Sequence, residues 1–156
     1  MVQPIYITLE GFRKTESELK HFRSARRQDI ADRIQKASSI GGTVDNAEYD
    51  EAKNEQAFIE GRILTLENTI NNAVMIETDN ESTGTIRVGS KVSIVDKSNK
   101  KREEYLIVGI PEADPSNGKI SNVSPIGKAL IGKQTGDIAQ VKAPVGIIKL
   151  EILAVK

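Results

Sequence analysis

The chain has 156 residues, 22 Lys and Arg against 22 Asp and Glu, and 38% hydrophobic residues with three Phe, three Tyr and no Trp. This composition excludes one large aromatic core, so we expect two compact units of about 75 residues each. Because cysteine, a leader and an apolar run of about 18 residues are all absent, the sequence excludes disulfides and thiolate metal sites and predicts a soluble, cytoplasmic protein without a membrane segment.

A first helical segment is predicted after Thr8, which is a suitable N-cap before Leu9. Apolar residues then recur on one helical face, as in a helix that packs against a partner. These residues are Phe12, Leu19, Phe22, Ile30, Ile34 and Ala37. The glycine pair Gly41-Gly42 breaks the pattern, so we expect the first arm to end there.

The second helical segment has the clearest pattern in the chain, with packing positions spaced alternately by three and four residues as in a coiled coil. They are Tyr49, Ala52, Gln56, Ile59, Ile63, Leu66, Ile70 and Ala73. The connection 38–44 is too short for anything but a reversal of direction, so the two helices are predicted to be antiparallel. At about 1.5 Å per residue, such a hairpin projects roughly 40 Å.

Charge is sorted between the two arms. Residues 13–36 contain eight Lys and Arg against four Asp and Glu, whereas residues 45–67 contain two against seven. One interpretation is that opposite charges beside the packing positions hold the helices in register. The other is a basic track that faces a polyanion such as RNA. The track consists of Arg23, Arg26, Arg27, Arg33 and Lys36.

The turn between the arms is acidic, with Asp45, Glu48, Asp50 and Glu51 near the start of the second helix. Asp45 as N-cap and Glu48 three residues later match a capping box. The same carboxylates can offer oxygen atoms to a metal, but Mg²⁺ takes six ligands, so a partner would have to supply most of them. Tyr49 is predicted to pack at this end of the hairpin.

After Asn72 the pattern changes to short β-branched runs with a loop at 79–84, which predicts a small antiparallel sheet. One short helix is expected over Ile126–Ile131, with Ser124 as N-cap, Pro125 in the first turn and Gly132 after the last turn. The predicted strands are Val74–Glu77, Thr85–Val88, Lys91–Asp96, Glu104–Val108, Lys119–Ser121, Ala139–Val141 and Gly146–Val155. The fold class is therefore α+β, with a coiled-coil hairpin at 1–76 and a sheet domain at 77–156.

Over essentially its whole length the chain resembles the bacterial Gre transcript cleavage factors, and it is most similar to the GreA type. The resemblance rests on matching segments in both halves. They are Pro4-Ile5-Tyr6-Ile7-Thr8 with Gly11, Arg26-Arg27, Asp45-Asn46-Ala47-Glu48-Tyr49 with Ala52-Lys53, Glu60-Gly61-Arg62-Ile63, Ile107-Val108-Gly109, Glu112-Ala113-Asp114, Ser124-Pro125-Ile126-Gly127-Lys128-Ala129-Leu130-Ile131-Gly132-Lys133, Gly136-Asp137 and Pro144-Val145-Gly146.

The resemblance implies that 77–156 has a fold similar to FK506-binding proteins and docks on the rim of the RNA polymerase secondary channel, with Ser124 and Pro125 in the docking loop. The hairpin would enter the channel and bring Asp45 and Glu48 to the active centre of a backtracked complex. There the tip carboxylates would help to hold a second Mg²⁺ that is shared with the polymerase. The polymerase would then cleave the RNA 3′ segment.

The resemblance also implies a factor that is not itself an enzyme, has no cofactor of its own and acts as a monomer. An independent hydrolytic site is not expected, because His21 is the only histidine. The basic face would guide the nascent RNA. That face consists of Arg26, Arg27, Arg33 and Lys36.

The tip departs from the family pattern Gly-Asp-x-x-Glu-Asn-Ala-Glu-Tyr. Gly42 replaces the first acid and Asp45 replaces the longer second one, so ion capture is expected to be weaker. Two functions remain open. The chain either stimulates RNA cleavage through Asp45 with Glu48 nearby, or occupies the channel as a non-cleaving regulator that competes with other channel factors.

Overall fold

The computed structural model describes residues 2–77 and 84–156. Two compact units can be distinguished, one formed by Met1–Gly11 with Ala73–Lys156 and the other by Phe12–Asn72. Whereas the sequence suggested a boundary after residue 76, the first eleven residues belong with the sheet. The cause is a strand that the sequence patterns missed, β1 (Ile5–Ile7), which pairs in parallel with β2 (Ala73–Met75).

The helical unit consists of two antiparallel arms. The first contains α1 (Leu9–His21), a π-helical turn (Phe22–Arg26) and α2 (Arg27–Gly41), and the second is the single helix α3 (Ala47–Asn71). With 25 residues, α3 is about 37 Å long at about 1.5 Å per residue. The predicted hairpin is therefore confirmed in its two arms and its turn.

Apolar residues from both arms form one buried row between the helices, as the spacing predicted. The buried members are Leu19, Ile30, Ala52, Ile59, Ile63 and Leu66, with Phe22, Ile34 and Ile70 packed against them. The prediction for Ala73 was wrong, because this residue begins β2 instead of continuing α3. At the other end, the Thr8 hydroxyl accepts a hydrogen bond from the Gly11 N–H (3.1 Å), which confirms Thr8 as the cap of α1.

A π-helical turn, Phe22–Arg26, separates α1 from α2 in the first arm. Apolar residues before, within and after it contribute to the same buried row. They are Leu19, Phe22, Ile30 and Ile34.

The sheet unit contains a five-stranded sheet in the order β5-β4-β3-β7-β6. Its pairs are antiparallel except β4 with β5, which is parallel, so the sheet is mixed where the sequence predicted an antiparallel one. The connection 109–118 is long enough to return the chain before β5 starts. The strands are β3 (Lys91–Asp96), β4 (Arg102–Val108), β5 (Lys119–Ser121), β6 (Ile138–Ala143) and β7 (Gly146–Val155).

The predicted strand Thr85–Val88 was wrong, because this segment contributes only an isolated bridge from Thr85 to Gln134. The loop predicted at 79–84 lies outside the described residues except for Gly84. The core beneath the sheet consists of Ile86, Val92, Ile94, Ile107, Ile120, Leu130, Ala139, Val141, Leu150 and Ile152.

The short helix of the sheet unit is α4 (Pro125–Leu130). Ser124 is its N-cap and Pro125 its first residue, as predicted, and Gly132 follows it with a φ of 85°. Leu130 is fully buried in the core of the sheet, so α4 packs on the sheet as an α+β domain requires. Across the described parts of the chain, no helix is both long and apolar enough to cross a membrane.

Candidate functional site

The hairpin turn is the first candidate site. Helix α2 ends at Gly41, and the Gly42 N–H donates to the Ser38 carbonyl (3.0 Å). Gly42 has φ 71° and ψ −160°, a backbone conformation that is essentially restricted to glycine. Asp45 also has a positive φ, of 53°, which aspartate tolerates better than most residues. The turn between the helices thus contains two residues with positive φ, Gly42 and Asp45.

The N-cap of α3 is Asn46, so the prediction that Asp45 caps this helix was wrong. Asn46 has the extended backbone of a cap (φ −111°, ψ 98°), and its side-chain oxygen accepts a hydrogen bond from the Tyr49 N–H (3.1 Å). The left-handed backbone of Asp45 does not suit that role. Since the third residue after the cap is Tyr49, the predicted capping box with Glu48 does not form.

Asn46 also binds the other helix, which no sequence pattern indicated. Its Nδ2 donates to the Ala37 carbonyl (2.9 Å) and to the Gly42 carbonyl (2.8 Å). Ala37 lies one turn before the end of α2, so one amide side chain links α2, the turn at Gly42 and the start of α3. The sequence indicated only that Asn46 lies next to the acidic residues where the second helix begins.

The acidic residues of the turn are open to solvent. Asp45, Glu48, Asp50 and Glu51 are all exposed, and Glu51 pairs with Arg33 (3.5 Å). Among residues 2–77 and 84–156, no three metal-ligating side chains come together. Asp45 and Glu48 thus belong to no metal-binding group within the described residues, and a Mg²⁺ ion, which takes six ligands, would need most of them from another molecule. Tyr49 is half-buried at the first turn of α3.

The basic track lies against the acidic arm. Arg27 binds Glu60 through two hydrogen bonds (2.8 and 2.7 Å), and Arg26 and Arg33 both bind Glu55 (2.8 and 2.5 Å). Hydrogen bonding to Arg27 lowers the pKa of the Glu60 carboxyl below its usual value. Two further pairs cross between the arms, Arg23 with Glu67 and Arg62 with Glu18.

These ion pairs favour the interpretation in which sorted charge sets the register of the arms. Each pair is partly exposed, so each stabilises little by itself, but a wrong register would separate all of them. Of the predicted RNA-facing residues, three have carboxylate partners. Lys36 is exposed and is in no ion pair within the described residues.

The second candidate site is the start of α4. The Ser124 hydroxyl accepts from the Gly127 N–H (3.0 Å) and donates to the Ser121 carbonyl (2.7 Å), so it is occupied by capping. Pro125 is exposed beside it. In the same unit an open pocket of about 570 Å³ has partly exposed apolar side chains that sequence analysis did not single out. Its lining is Tyr6, Met75, Ile76, Glu77, Arg87, Val88, Asn122 and Ile131.

Two family models match the chain, and together they cover most of it. Residues 5–75 match the model described as "Transcription elongation factor, N-terminal". Residues 81–156 match the model described as "Transcription elongation factor, GreA/GreB, C-term". The first matched range ends at the last residue of β2, Met75.

Relatives with the name transcription elongation factor GreA are similar over their full length. The protein of Thermoanaerobacter pseudethanolicus is 47% identical over 156 residues, which are 100% of this chain and 99% of the relative. That of Acetivibrio thermocellus is 49% identical over 152 residues, 97% and 96% of the two chains. Among solved structures, GreA factor homolog 1 of Thermus thermophilus is 29% identical with 99% of each chain covered and a TM-score of 0.46.

Proposed function

Because the chain belongs to the GreA/GreB family of transcription elongation factors, we propose that it binds bacterial RNA polymerase through the secondary channel and stimulates cleavage of backtracked nascent RNA. The observation that supports this proposal is the helical hairpin, which presents the exposed carboxylates of Asp45 and Glu48 at its turn. A narrow two-helix rod is suited to enter a channel that a compact domain cannot.

Asp45 is the residue to which we assign the largest role. Its carboxylate lies on the turn itself, whereas Glu48 lies one residue inside α3. We propose that Asp45 is a ligand of a Mg²⁺ that the polymerase holds with its own residues, with Glu48 in support. Bound Mg²⁺ would lower the pKa of water and stabilise the charge that develops on the phosphate.

In this proposal the chain acts as a factor on the polymerase and supplies no complete active site of its own. Two exposed carboxylates leave most of the six positions around Mg²⁺ unfilled, and no third metal-ligating side chain joins them among the described residues. The nucleophile, the remaining ligands and the RNA would all come with the polymerase. The 3′ end of the nascent RNA is therefore a partner only within the complex.

We assign docking on the channel rim to Ser124, Pro125 and the pocket of their unit. Pro125 is exposed, and Met75 and Ile131 in the pocket lining expose 44% and 37% of their surface. Partly exposed apolar residues around a concavity are typical of protein-binding sites. Capping of α4 by Ser124 would keep this loop in one conformation.

We propose that the basic face helps to guide RNA, but that most of its residues are only partly available for this role. Arg26, Arg27 and Arg33 already bind carboxylates of α3, so their charge is largely balanced within the hairpin. Lys36 is exposed and unpaired within the described residues. Lys36 is therefore the residue from which a phosphate contact is expected first.

One observation favours a second function, a channel-binding regulator that does not stimulate cleavage. Gly42 stands where the family pattern has its first acid, and its backbone (φ 71°, ψ −160°) strains any other residue. The turn therefore has no place for the missing carboxylate without a change of conformation. A factor with this tip would compete with other channel ligands.

The test is RNA cleavage in stalled, backtracked polymerase complexes at graded Mg²⁺ concentrations. Asp45→Asn keeps the shape of the side chain and removes its charge. We expect it to lower the cleavage rate by about 10–100-fold or more. Loss of a group that only supports a metal ligand already has an effect of that size. Glu48→Gln should lower the rate less, and the exposed Thr43→Ala should leave it unchanged.

The second function requires a separate pair of variants. Gly42→Asp adds the missing acid together with backbone strain, and Gly42→Ala adds the strain alone. The regulator is the correct function if two results are obtained. The natural chain binds the polymerase without stimulating cleavage, and Gly42→Asp stimulates cleavage whereas Gly42→Ala does not. Cleavage by the natural chain that depends on Asp45 supports the first proposal instead.

A further inference from the structure

The side chain of Asn46 bonds both helices that meet at the turn. It caps α3 through the Tyr49 N–H (3.1 Å) and donates to the carbonyl groups of Ala37 (2.9 Å) and Gly42 (2.8 Å). We propose that Asn46 is a positioning residue that fixes the backbone of Asp45 and thereby the placement of its carboxylate. This inference rests on the proposed function, in which Asp45 is a metal ligand.

Asp45 needs such support because its backbone is left-handed (φ 53°), a region that residues with a Cβ visit unfavourably. Its N-terminal side is restrained by the hydrogen bond from Asn46 Nδ2 to the Gly42 carbonyl. Its C-terminal side is restrained because Asn46 is itself the cap of α3. The segment 42–46 is therefore closed into a ring, and Asp45 lies inside it.

Each glycine of the pair has a definite part in this arrangement. At Gly41 an added Cβ would lie 2.7 Å from Asn46 Nδ2 and 3.2 Å from its Cγ, so only glycine leaves room for the amide. At Gly42 an added Cβ would meet nothing within 4 Å, and glycine is needed there for the positive φ that orients its carbonyl. The hydrogen bonds of Asn46 therefore explain why both positions are glycine, in addition to the need to end α2.

The chemistry of the side chain distinguishes asparagine from other good caps. Aspartate and serine accept a hydrogen bond from the third helical N–H as well as asparagine does. An ionised aspartate has no donor for the Ala37 and Gly42 carbonyl groups, and the serine side chain has one donor and is shorter. Variants at this position can therefore keep the cap while removing the link to α2.

The first experiment needs only the free protein. Backbone ¹⁵N relaxation is measured for the natural chain, Asn46→Ser, Asn46→Asp and the control Thr43→Ala. The order parameter of the Asp45 amide should fall from the rigid value of about 0.85 to below about 0.6 in both Asn46 variants, and stay unchanged in the control. An Asp45 amide that stays rigid in both variants would overturn the proposal.

The second experiment uses the backtracked complex with Asn46→Ser, which adds no charge. A misplaced ligand should raise the half-saturating Mg²⁺ concentration about tenfold and leave the rate at saturating Mg²⁺ close to that of the natural chain. An unchanged half-saturating concentration with a lower rate would contradict a positioning role. If the natural chain does not stimulate cleavage, the proposed function fails, whereas the relaxation measurement still decides the role of Asn46.

Discussion

The helical unit and the sheet unit bury their apolar residues in different ways. In the described part of the hairpin, the buried residues form one row between two helices, with ion pairs on its flanks. In the sheet unit, the buried residues come from five strands, a helix and one loop residue, Ile86, and these segments are far apart in sequence. The hairpin is therefore specified by local spacing, and the sheet unit by contacts between distant segments. Substitutions should act locally in the first and across the whole unit in the second.

The largest effect is expected in the core of the sheet unit. Ile94 on β3 is 1% exposed, and Ile94→Ala should lower the free energy of unfolding by about 2–5 kcal/mol. Chemical denaturation followed by circular dichroism measures the loss. Leu153→Ala, at a residue that is 37% exposed on β7, is the matched control and should cost clearly less.

The same truncation in the hairpin tests whether the units respond separately. Ile59 is fully buried on α3, and hydrogen exchange in Ile59→Ala should accelerate in the helices and remain slow in β3, β4 and β7. Accelerated exchange in both units would contradict the comparison.

A smaller loss is expected where β1 meets the rest of the sheet unit. A Cβ on Gly109 would lie 1.5 Å from the Tyr6 carbonyl oxygen. Gly109→Ala should therefore push β1 away from Gly109 and lower the free energy of unfolding by about 1–3 kcal/mol or more. Faster hydrogen exchange in β1 and β2 would locate the damage. Gly61→Ala is the control, because an added Cβ there meets nothing within 4 Å and should stabilise α3 by about 0.5–1 kcal/mol.

The next effect concerns a helix cap. Ser124 accepts a hydrogen bond from the Gly127 N–H, and Ser124→Ala should destabilise the sheet unit by about 1 kcal/mol. Ser124→Asp keeps the acceptor for the Gly127 N–H but, like Ser124→Ala, loses the hydrogen bond that the hydroxyl donates to the Ser121 carbonyl. It should therefore recover part of that stability in thermal unfolding. Equal losses in the two variants would mean that the bond to Ser121, and not the cap, causes the loss.

A pH effect is expected in the sheet unit at the alkaline end. Burial, with the hydrogen bond to Glu103 as a second cause, raises the pKa of Tyr105 to about 12 from the usual 10.0. The unfolded chain loses this proton first, so stability should fall as pH rises from about 10 to about 12. Phenolate absorbance measures the pKa, and the free energy of unfolding at each pH measures the loss of stability. Tyr105→Phe should make the stability less dependent on pH over that range.

The smallest effect is expected at the surface of the hairpin. Arg27 holds the pKa of Glu60 below its usual 4.5, so this pair stabilises the hairpin above that pH and ceases to do so as pH falls through the lowered pKa. Glu60→Gln should lower the melting temperature slightly at neutral pH and low salt, and not at high salt. A large, salt-independent loss would show that the pair does more than hold register.

The sequence by itself determined the features that depend on local spacing. The three-and-four spacing along α3, the glycine pair at the turn and the Ser124-Pro125 start of α4 each lie within a few residues of one another, where helix periodicity and capping chemistry suffice. The resemblance to the Gre family was also carried by such short segments, and the family models confirm it.

Only the tertiary structure decided the features that join distant residues or depend on the sign of φ. Ile5 pairs with Ala73, and three residues of strand give too short a pattern to predict such a partner. The sequence left open whether the arginines of the first arm pair with the second arm or face RNA, and only the structure placed Glu55 and Glu60 beside them. Asp45 looked like the cap, but its left-handed backbone gave that role to Asn46, because the path of the turn is set by both helices at once and not by the order of residues in it.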